Sequence, residues 1–347
     1  MLGKGFVLTP DDAHALIAID PRNADVVFPY LSGEDLNQRP GSTASRWVIN
    51  FHDWSEERAA EYPAVFEIAE REVKPVRQRT KEDGSYVLRK PLPQRWWHYA
   101  DKRPALYAAI THLRHVIVIA RVSSTAAATL VPTKQVLHEK LVVFPTDDLG
   151  RLAMLNSTMH VAWAWKWSAT MKADLQYTPS DCFETFPFPD PTDALRQAGQ
   201  SLDRTRRNAS SARNIGLTDL YGLVHTESET TPDIEAIRQA HIGVDRAAAK
   251  AYGWTDLDLK HGFHTTPQGD RFTITPDIQT EILDRLLELN HTRYKEEVEK
   301  GLHTPEAKRR RAAARKSKAK ARAATRTPES TQEDFGDALF PQPDALF

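Results

Sequence analysis

The C-terminal end of the chain limits most strongly what it can fold into. Residues 308–326 contain ten Lys or Arg and no acid, and residues 327–347 contain five acids and no base. Such a stretch is too poor in apolar residues to bury a core, so we expect 304–347 to be a disordered tail, first basic and then acidic. The folded part is then residues 1–303. At roughly 100 to 200 residues per domain, this is enough for two compact domains.

Several classes of protein are excluded by the composition. Of the 347 residues, 40% are hydrophobic and 27% are charged, a balance typical of a globular protein, and no apolar run is long enough for a membrane span. The N-terminus has no apolar signal segment, and the single cysteine, Cys182, has no partner for an intramolecular disulfide. We therefore expect a cytoplasmic protein that does not bind a membrane.

Helix and strand signals alternate in the first 75 residues. Thr9 is a typical N-cap, followed by Pro10, and the helix that it begins should end near Asp20, before a proline. We expect a loop at 28–42, rich in turn formers, and a strand at 46–52. A second helix should run from Ser55 towards Lys74, with an interruption at Pro63.

The middle of the chain predicts a β-sheet and the rest predicts helices. A basic stretch, 77–103, contains a hairpin-like Asp-Gly pair and precedes a short helix at 104–113. Three β-rich runs should form one small antiparallel or mixed sheet, at 115–122, 124–131 and 135–144. A single helix is expected over 148–167.

These signals predict an α+β fold, in which a mixed β-sheet domain is followed by a mainly helical domain and the disordered tail. The expected divisions are an N-terminal α/β junction segment, the mixed-sheet domain, the helical domain and the tail, at 1–75, 76–190, 191–303 and 304–347.

The sequence contains little that indicates catalysis. It has no glycine-rich phosphate loop and no Pro-Pro dipeptide, such as an amino-methyltransferase needs to hold a flipped base. His261 and His264 lack the spacing of a zinc motif, and Cys182 has no neighbouring histidine, so a turn pair and a buried thiol are the favoured interpretations. We predict no catalytic, cofactor or metal site in this chain.

Binding residues are more evident. Cations, hydroxyls and aromatic rings that could contact phosphates or base edges cluster in the basic stretch and at predicted strand ends. The DNA-binding candidates are Arg79, Lys81, Arg95, Trp97, Arg103, Arg121, Ser123, Ser124 and Lys134. The alternative is that Trp96 and Tyr107 are core aromatics and the charges form a solvated surface. The basic tail could add sequence-independent affinity or simply keep the chain soluble.

Several long strings resemble a known family. VKPVRQ, QRWWHYADKRPALY, LQYTPSDCFETFPFP and AYGWTDLDLKHGFHTTPQGDRFTITP resemble, in order, the C-terminal part of type IIL/IIG-like restriction-modification enzymes. Those enzymes are N6-adenine DNA methyltransferases, and the portion resembled is their target recognition domain with its helical support. The resemblance implies that 76–190 is a target recognition domain.

The resemblance also implies partners. The S-adenosylmethionine domain and the Asn-Pro-Pro-Tyr motif of those enzymes are missing here, so the cofactor is expected on a separate methyltransferase subunit, and double-stranded DNA is the expected ligand. Gly33, Glu34, Asp35 and Asn37 are the candidates for docking to that subunit, or for positioning the DNA backbone. The alternative is a tight loop held by the side chains of Asp35 and Asn37.

The expected function is thus a DNA-sequence recognition component of a restriction-modification or phage-defence methyltransferase, which positions a separately encoded N6-adenine methylase core. Residues 77–145 should face the major groove, with Arg95, Arg121 and Lys134 reaching base edges or phosphates. Two alternatives are a truncated, non-catalytic methylase fragment and a protein-binding adaptor in a defence complex.

Overall fold

The computed structural model describes residues 3–307, 309–310 and 313. The N-terminal elements are β1 (Val7–Leu8), α1 (Pro10–Ile19), β2 (Val27–Leu31), α2 (Gly33–Gln38), β3 (Arg46–Ile49), α3 (Glu56–Ala60), α4 (Pro63–Glu72) and α5 (Lys74–Arg77). Short 3-10 helices lie at 4–6, 21–25 and 40–42. The expected N-cap is confirmed, because the Thr9 side chain accepts a hydrogen bond from the backbone N–H of Asp12.

The middle of the chain alternates strands with short helices. Its elements are α6 (Pro104–Ile110), β4 (His115–Ala120), β5 (Val122–Ser123), β6 (Thr129–Pro132), β7 (Val136–Leu137), β8 (Leu141–Phe144), α7 (Leu149–Asn156), α8 (Thr158–Trp167), β9 (Ala169–Met171), β10 (Asp174–Gln176) and α9 (Pro179–Cys182). The helix expected at 148–167 breaks at Ser157, which caps α8 by accepting a hydrogen bond from the backbone N–H of His160.

The rest of the described chain is mainly helical. Its elements are α10 (Asp193–Arg213), α11 (Leu217–Val224), α12 (Pro232–Tyr252), β11 (Gly262–Thr266), β12 (Gly269–Thr273) and α13 (Pro276–Glu299). Residues 305–307 form a helical turn, and most of the tail expected at 304–347 lies outside the described residues. The α+β class is confirmed: a mixed-sheet region precedes a helical one.

The loop expected at 28–42 is wrong. Phe28 pairs with Val48 in antiparallel register, so this segment is a strand despite Pro29. The next residues form α2 because Ser32 and Asp35 make a capping box, each side chain accepting a hydrogen bond from the other residue's backbone N–H. Turn-forming residue types here mark the start of a helix.

The three β-rich runs do not form one sheet, contrary to expectation. They contribute to three sheets with the strand orders β1-β3-β2-β7, β6-β4-β8 and β5-β10-β9. In the first, β7 pairs in parallel with β2, placing Tyr30 beside Val136 and Leu31 beside Leu137. Periodicity identified most of these strands, but the pairing depends on contacts that are distant in sequence.

In the part of the chain that the structure describes, two hydrophobic clusters form the core. The first joins N-terminal residues such as Phe6 and Val48 to Trp96, Tyr99 and Val136. The second runs without interruption from Leu31 through the middle strands and into α10, α12 and α13. The limits of these clusters do not coincide with divisions at residues 75 and 190. None of the helices in the described residues combines the length and apolarity that a bilayer crossing requires.

Candidate nucleic-acid interface

Two cations lie side by side where β4 ends. The backbone N–H of Arg121 donates to the carbonyl of Lys140 over 2.7 Å, one step beyond the Ala120–Leu141 pair of β4 and β8. Continuing this register by one residue places Lys140 opposite Arg121 at the end of the sheet. Both residues are exposed, and within the described part of the chain neither side chain makes a hydrogen bond or an ion pair. We call this pair the β4–β8 corner.

The predicted hydroxyl residues lie next to this corner. The carbonyl of Arg121 accepts from the backbone N–H of Tyr177 over 2.8 Å, which holds the start of β5 against the end of β10. Ser124 is exposed. Ser123 is only 5% exposed, and its hydroxyl donates to Asn37 Oδ1 over 3.4 Å. This corrects the expectation for Ser123. Its hydroxyl contacts α2 and is not accessible to a ligand.

Helix α2 supports the corner from behind. Gly33 and Asp35 are buried, and a Cβ added at Gly33 would lie 3.3 Å from the carbonyl of Lys140. The second carboxylate oxygen of Asp35 accepts from the backbone N–H of Ser45 over 3.2 Å. Only Glu34 points fully to solvent among the four docking candidates. The structure thus joins the two predicted sites, since α2 contacts the strand ends that carry Arg121.

A cation-rich aromatic cluster lies beside the corner. The guanidinium of Arg46 is 5.7 Å from the centroid of the Tyr30 ring, which is 5.4 Å from the His138 ring. Burial lowers the pKa of His138, the charge of Glu139 raises it, and the charges of Lys140, Arg46 and Arg103 lower it further. Arg103 and Lys140 therefore both lie near His138, together with the acidic Glu139.

The remaining cationic candidates are exposed and lie elsewhere. Arg79 and Lys81 lie on a small exposed hairpin closed by the Thr80–Tyr86 bridge, and Arg95 follows it. The hairpin is attached to the N-terminal region by Gln78, whose side chain donates to the Pro93 carbonyl over 3.1 Å. The exposed Lys134 lies in the link between β6 and β7.

The aromatic candidate is part of the core. Trp97 is 7% exposed, and its indole N–H donates to the carbonyl of Trp54 over 3.0 Å. This corrects the expectation that its ring is free to stack on a base. Trp96, at 1% exposure, is also a core residue, and the half-buried Tyr107 accepts the Leu137 backbone N–H with its hydroxyl. The core alternative is confirmed for Trp96, and Tyr107 packs against the core as a partly buried residue.

Two features were missed from the sequence. The β9–β10 hairpin extends the β5 sheet, and it exposes Met171 and all of β9. Its turn contains no Gly, Asn or Asp at the left-handed position, which Lys172 occupies at φ +57°, so no hairpin signal was visible. The second is a cavity of about 480 Å³ whose lining includes Arg246, Lys250 and Lys260.

The residues considered for catalysis or metal binding are buried or hydrogen-bonded within the fold. Burial raises the pKa of the Cys182 thiol, which makes the thiolate harder to form. His261 contacts Asp245 over 2.9 Å, and Asp245 also accepts from the backbone N–H of Thr158. His264 contacts the Lys260 carbonyl over 3.3 Å. Across the described residues, no three His, Cys, Asp or Glu side chains are grouped as a metal ion would require.

Comparison with known proteins identifies the class of domain and the family to which this fold belongs. The family model described as "MmeI, target recognition domain" matches residues 2–190. This chain therefore belongs to the MmeI target recognition domain family.

One solved structure extends the comparison beyond that domain. It is described as the structure of the type IIL restriction-modification enzyme MmeI in complex with DNA, and it matches with a TM-score of 0.59 at 17% identity. The match covers 83% of this chain and 34% of the MmeI chain, so this chain spans about one third of the length of that enzyme. The likeness extends the shared fold into the helical region. Comparison with curated proteins gives no match.

Proposed function

We propose that this chain is the DNA-sequence recognition component of a restriction-modification or phage-defence methyltransferase, and that the β4–β8 corner is its reading face. The observation that carries the proposal is the pair of exposed cations, Arg121 and Lys140, which are adjacent at the end of a sheet in a chain of the MmeI target recognition domain family. Charged side chains that have no protein partner are available for an anionic ligand.

The chemistry of the corner fits DNA. A guanidinium donates two parallel hydrogen bonds to the O6 and N7 acceptors of guanine, and an ammonium neutralises a phosphate. We assign base reading to Arg121, with Ser124 beside it, and phosphate contact to Lys140 and Arg103. Further phosphate contacts are proposed for Arg79, Lys81, Arg95 and Lys134. Ser123 and Trp97 support the fold of this region and do not contact DNA.

We further propose that a separate N6-adenine methyltransferase core supplies S-adenosylmethionine and catalysis. The family match covers a recognition domain, and the MmeI chain is about three times as long as the part matched here. The exposed Glu34 and the accessible part of Asn37, on the solvent side of α2, are the proposed docking contacts. Gly33 and Asp35 would act only by holding α2 in place.

Selection from a random duplex pool tests the reading face. We expect the full chain to enrich a defined sequence, and Arg121→Ala to lose the preference at one base pair while binding weakens by about 1 to 3 kcal/mol. Arg204→Ala, an exposed arginine on α10, is the matched control and should leave the enriched sequence unchanged. An unchanged preference in Arg121→Ala would remove this residue from the reading face.

Co-purification tests the partner. If a candidate methylase core co-purifies with the full chain and methylates the enriched sequence, the subunit assignment is supported. A chain that enriches no sequence, whose DNA binding disappears once the cations of 308–326 are replaced, would contradict the proposal. That result would favour a non-catalytic fragment or an adaptor.

A further inference from the structure

A groove of about 780 Å³ lies between α1 and the α4–α5 segment, and none of its lining residues is among those assigned to DNA. Its walls are largely apolar, and they include Leu8, Leu16, Ile19, Ile68, Val73 and Val76. Ile19 and Val76 are 72% and 68% exposed, respectively, which is unusual for large aliphatic side chains. The volume is within the range of sites that bury a small ligand or a short peptide segment. We call it the α1–α5 groove.

A buried cation without a hydrogen-bond acceptor lines this groove. Arg77 is 5% exposed, its Nη1 atom has no hydrogen-bond partner, and its side chain makes no ion pair within the described residues. The Phe6 ring, with its centroid 5.7 Å from the guanidinium carbon, gives only partial compensation. Because an unpaired buried charge is costly, an anion bound at this site would stabilise it.

The acids nearby do not fill that role. Asp12 accepts the Thr9 hydroxyl over 2.6 Å, and Glu72 accepts the Arg71 side chain over 2.9 Å. Lys4 at the groove rim makes no ion pair among the described residues, so it adds a second cation without a carboxylate. The groove therefore fits a segment that carries a carboxylate together with large apolar side chains.

The chain contains such a segment outside the described residues. Its last eleven residues are Asp-Ala-Leu-Phe, Pro-Gln-Pro and a second Asp-Ala-Leu-Phe, which occupy 337–340, 341–343 and 344–347. Each copy places an aspartate three residues before a phenylalanine, and no base occurs in 327–347. Each copy carries a carboxylate, which Arg77 lacks, and large apolar side chains, which fit the apolar walls of the groove.

We propose that the α1–α5 groove binds the chain's own Asp-Ala-Leu-Phe repeat, with an aspartate on Arg77 and the leucine and phenylalanine on the apolar walls. The length of the segment permits this. Residues 314–347 can reach up to about 110 Å when extended, whereas a domain of about 300 residues has a radius of gyration of about 19 Å. Attachment to the same chain gives an effective concentration in the millimolar range for short linkers, and two copies give two chances to bind.

Hydrogen exchange on the full chain tests the proposal. Replacing Leu339, Phe340, Leu346 and Phe347 by alanine should speed exchange at least threefold in α1 and α5 and leave α10 unchanged. Ile19→Glu with Val76→Glu should give the same result, because both residues are exposed and the fold does not require them. Unchanged exchange in either variant would overturn the proposal.

A labelled peptide of residues 336–347 separates the possible occupants. It should bind the tail-substituted chain at least tenfold more tightly than the unchanged chain, whose own tail competes. Arg77→Met should weaken that binding at least tenfold while the chain stays folded, and Arg39→Met, an exposed arginine outside the groove, is the control. Equal binding to all variants would contradict occupancy of the groove. A dimer that dissociates on tail substitution would contradict binding within one chain.

Discussion

Arginines in two regions of the molecule show opposite behaviour. Arg206 on α10 and Arg238 on α12 are each 2% exposed, and both donate to backbone carbonyls: Arg206 to that of Ala128 over 2.6 Å, Arg238 to that of Thr226 over 2.7 Å. Arg121, at the β4–β8 corner, is exposed and makes no side-chain hydrogen bond within the described residues. The first type holds the fold together, and the second is left available to a ligand.

The two regions are nevertheless coupled. Arg206 fixes the carbonyl of Ala128, immediately before β6, and Asn156 fixes the backbone N–H of the same residue over 3.1 Å. Strand β6 pairs with β4, and β4 ends next to Arg121. The buried arginine therefore holds the residue before β6, in the same sheet whose strand β4 ends next to Arg121. Variants that change either stability or DNA affinity, but not both, test this division of roles.

The largest effect should come from Arg206→Met. The change removes a buried guanidinium that donates to the Ala128 carbonyl, to Asn156 Oδ1 and to the Tyr221 hydroxyl. Asn156 Nδ2 still donates to the Ala128 carbonyl over 3.0 Å, but the other bonds are lost, so we expect a loss of about 3 kcal/mol in the free energy of unfolding. Chemical denaturation measures it. Arg204→Met, an exposed position on the same helix, should stay within about 0.5 kcal/mol. Equal losses in both variants would end the distinction between the two kinds of arginine.

Low pH should reduce the stability of the folded chain mainly through its buried histidines. Burial lowers the pKa of His160 from 6.5 to about 3, so between these values the unfolded chain binds a proton that the folded chain does not. Stability then falls as the pH drops, by about 2 kcal/mol between pH 6 and pH 4.5 from this histidine alone. His225 and His241, whose pKa values burial lowers to about 3 and about 4, should add to the slope. Denaturation curves across this pH range measure it.

The control for the acid experiment is a matched pair of variants. His160→Gln keeps a partner for the Tyr177 hydroxyl, which lies 2.9 Å from His160 Nε2, and should flatten the dependence on pH. His115→Gln, at an exposed position, should leave it unchanged. If the slope of stability against pH is unchanged in His160→Gln, the proton is taken up by another group.

Lys140→Ala should affect DNA binding and not stability. Loss of one phosphate contact should reduce the slope of log affinity against log salt by about 0.9, uniformly across DNA sequences. The melting temperature should stay within one degree of the unsubstituted protein. Fluorescence anisotropy at several salt concentrations measures the slope, and an unchanged slope would exclude a phosphate contact at this residue.

The smallest effect on DNA should come from Trp97→Phe. The indole lies in the core and His98 Nε2 also contacts the Trp54 carbonyl, over 2.7 Å, so the change should cost about 1 kcal/mol of stability. Affinity for DNA should not change, which anisotropy at one salt concentration can establish. A loss of DNA affinity without a loss of stability would show that Trp97 belongs to the reading face.

The sequence predicted elements better than it predicted their partners. Helix α1 was delimited closely, because Thr9, Pro10 and Pro21 act locally. Strand β2 was missed because Pro29 and the polar residues after it are typical of turns, and only the pairing with β3 and β7 makes the segment a strand. Pairing between distant segments likewise divided the expected single sheet into three.

The candidate site was predictable to a similar extent. Arg121 was identified as a cation at a strand end, but Lys140 was not, because its position opposite Arg121 depends on the register of β4 and β8. Trp97 was selected as an aromatic ring in a basic stretch and Ser123 as a hydroxyl at a predicted strand end, and burial changed the role of both. Residue type predicts what a side chain can bind, whereas exposure decides whether it is available.

The two-residue strand β7 has a consequence for exchange of recognition domains between enzymes. Val136 belongs to one hydrophobic cluster and Leu137 to the other, while both pair with β2. A chimera joined at residue 75 would take β2 from one parent and β7 from the other. The mismatch would fall where the two hydrophobic clusters meet. A transplant that takes both strands from a single parent preserves the β2–β7 pairing between the two clusters.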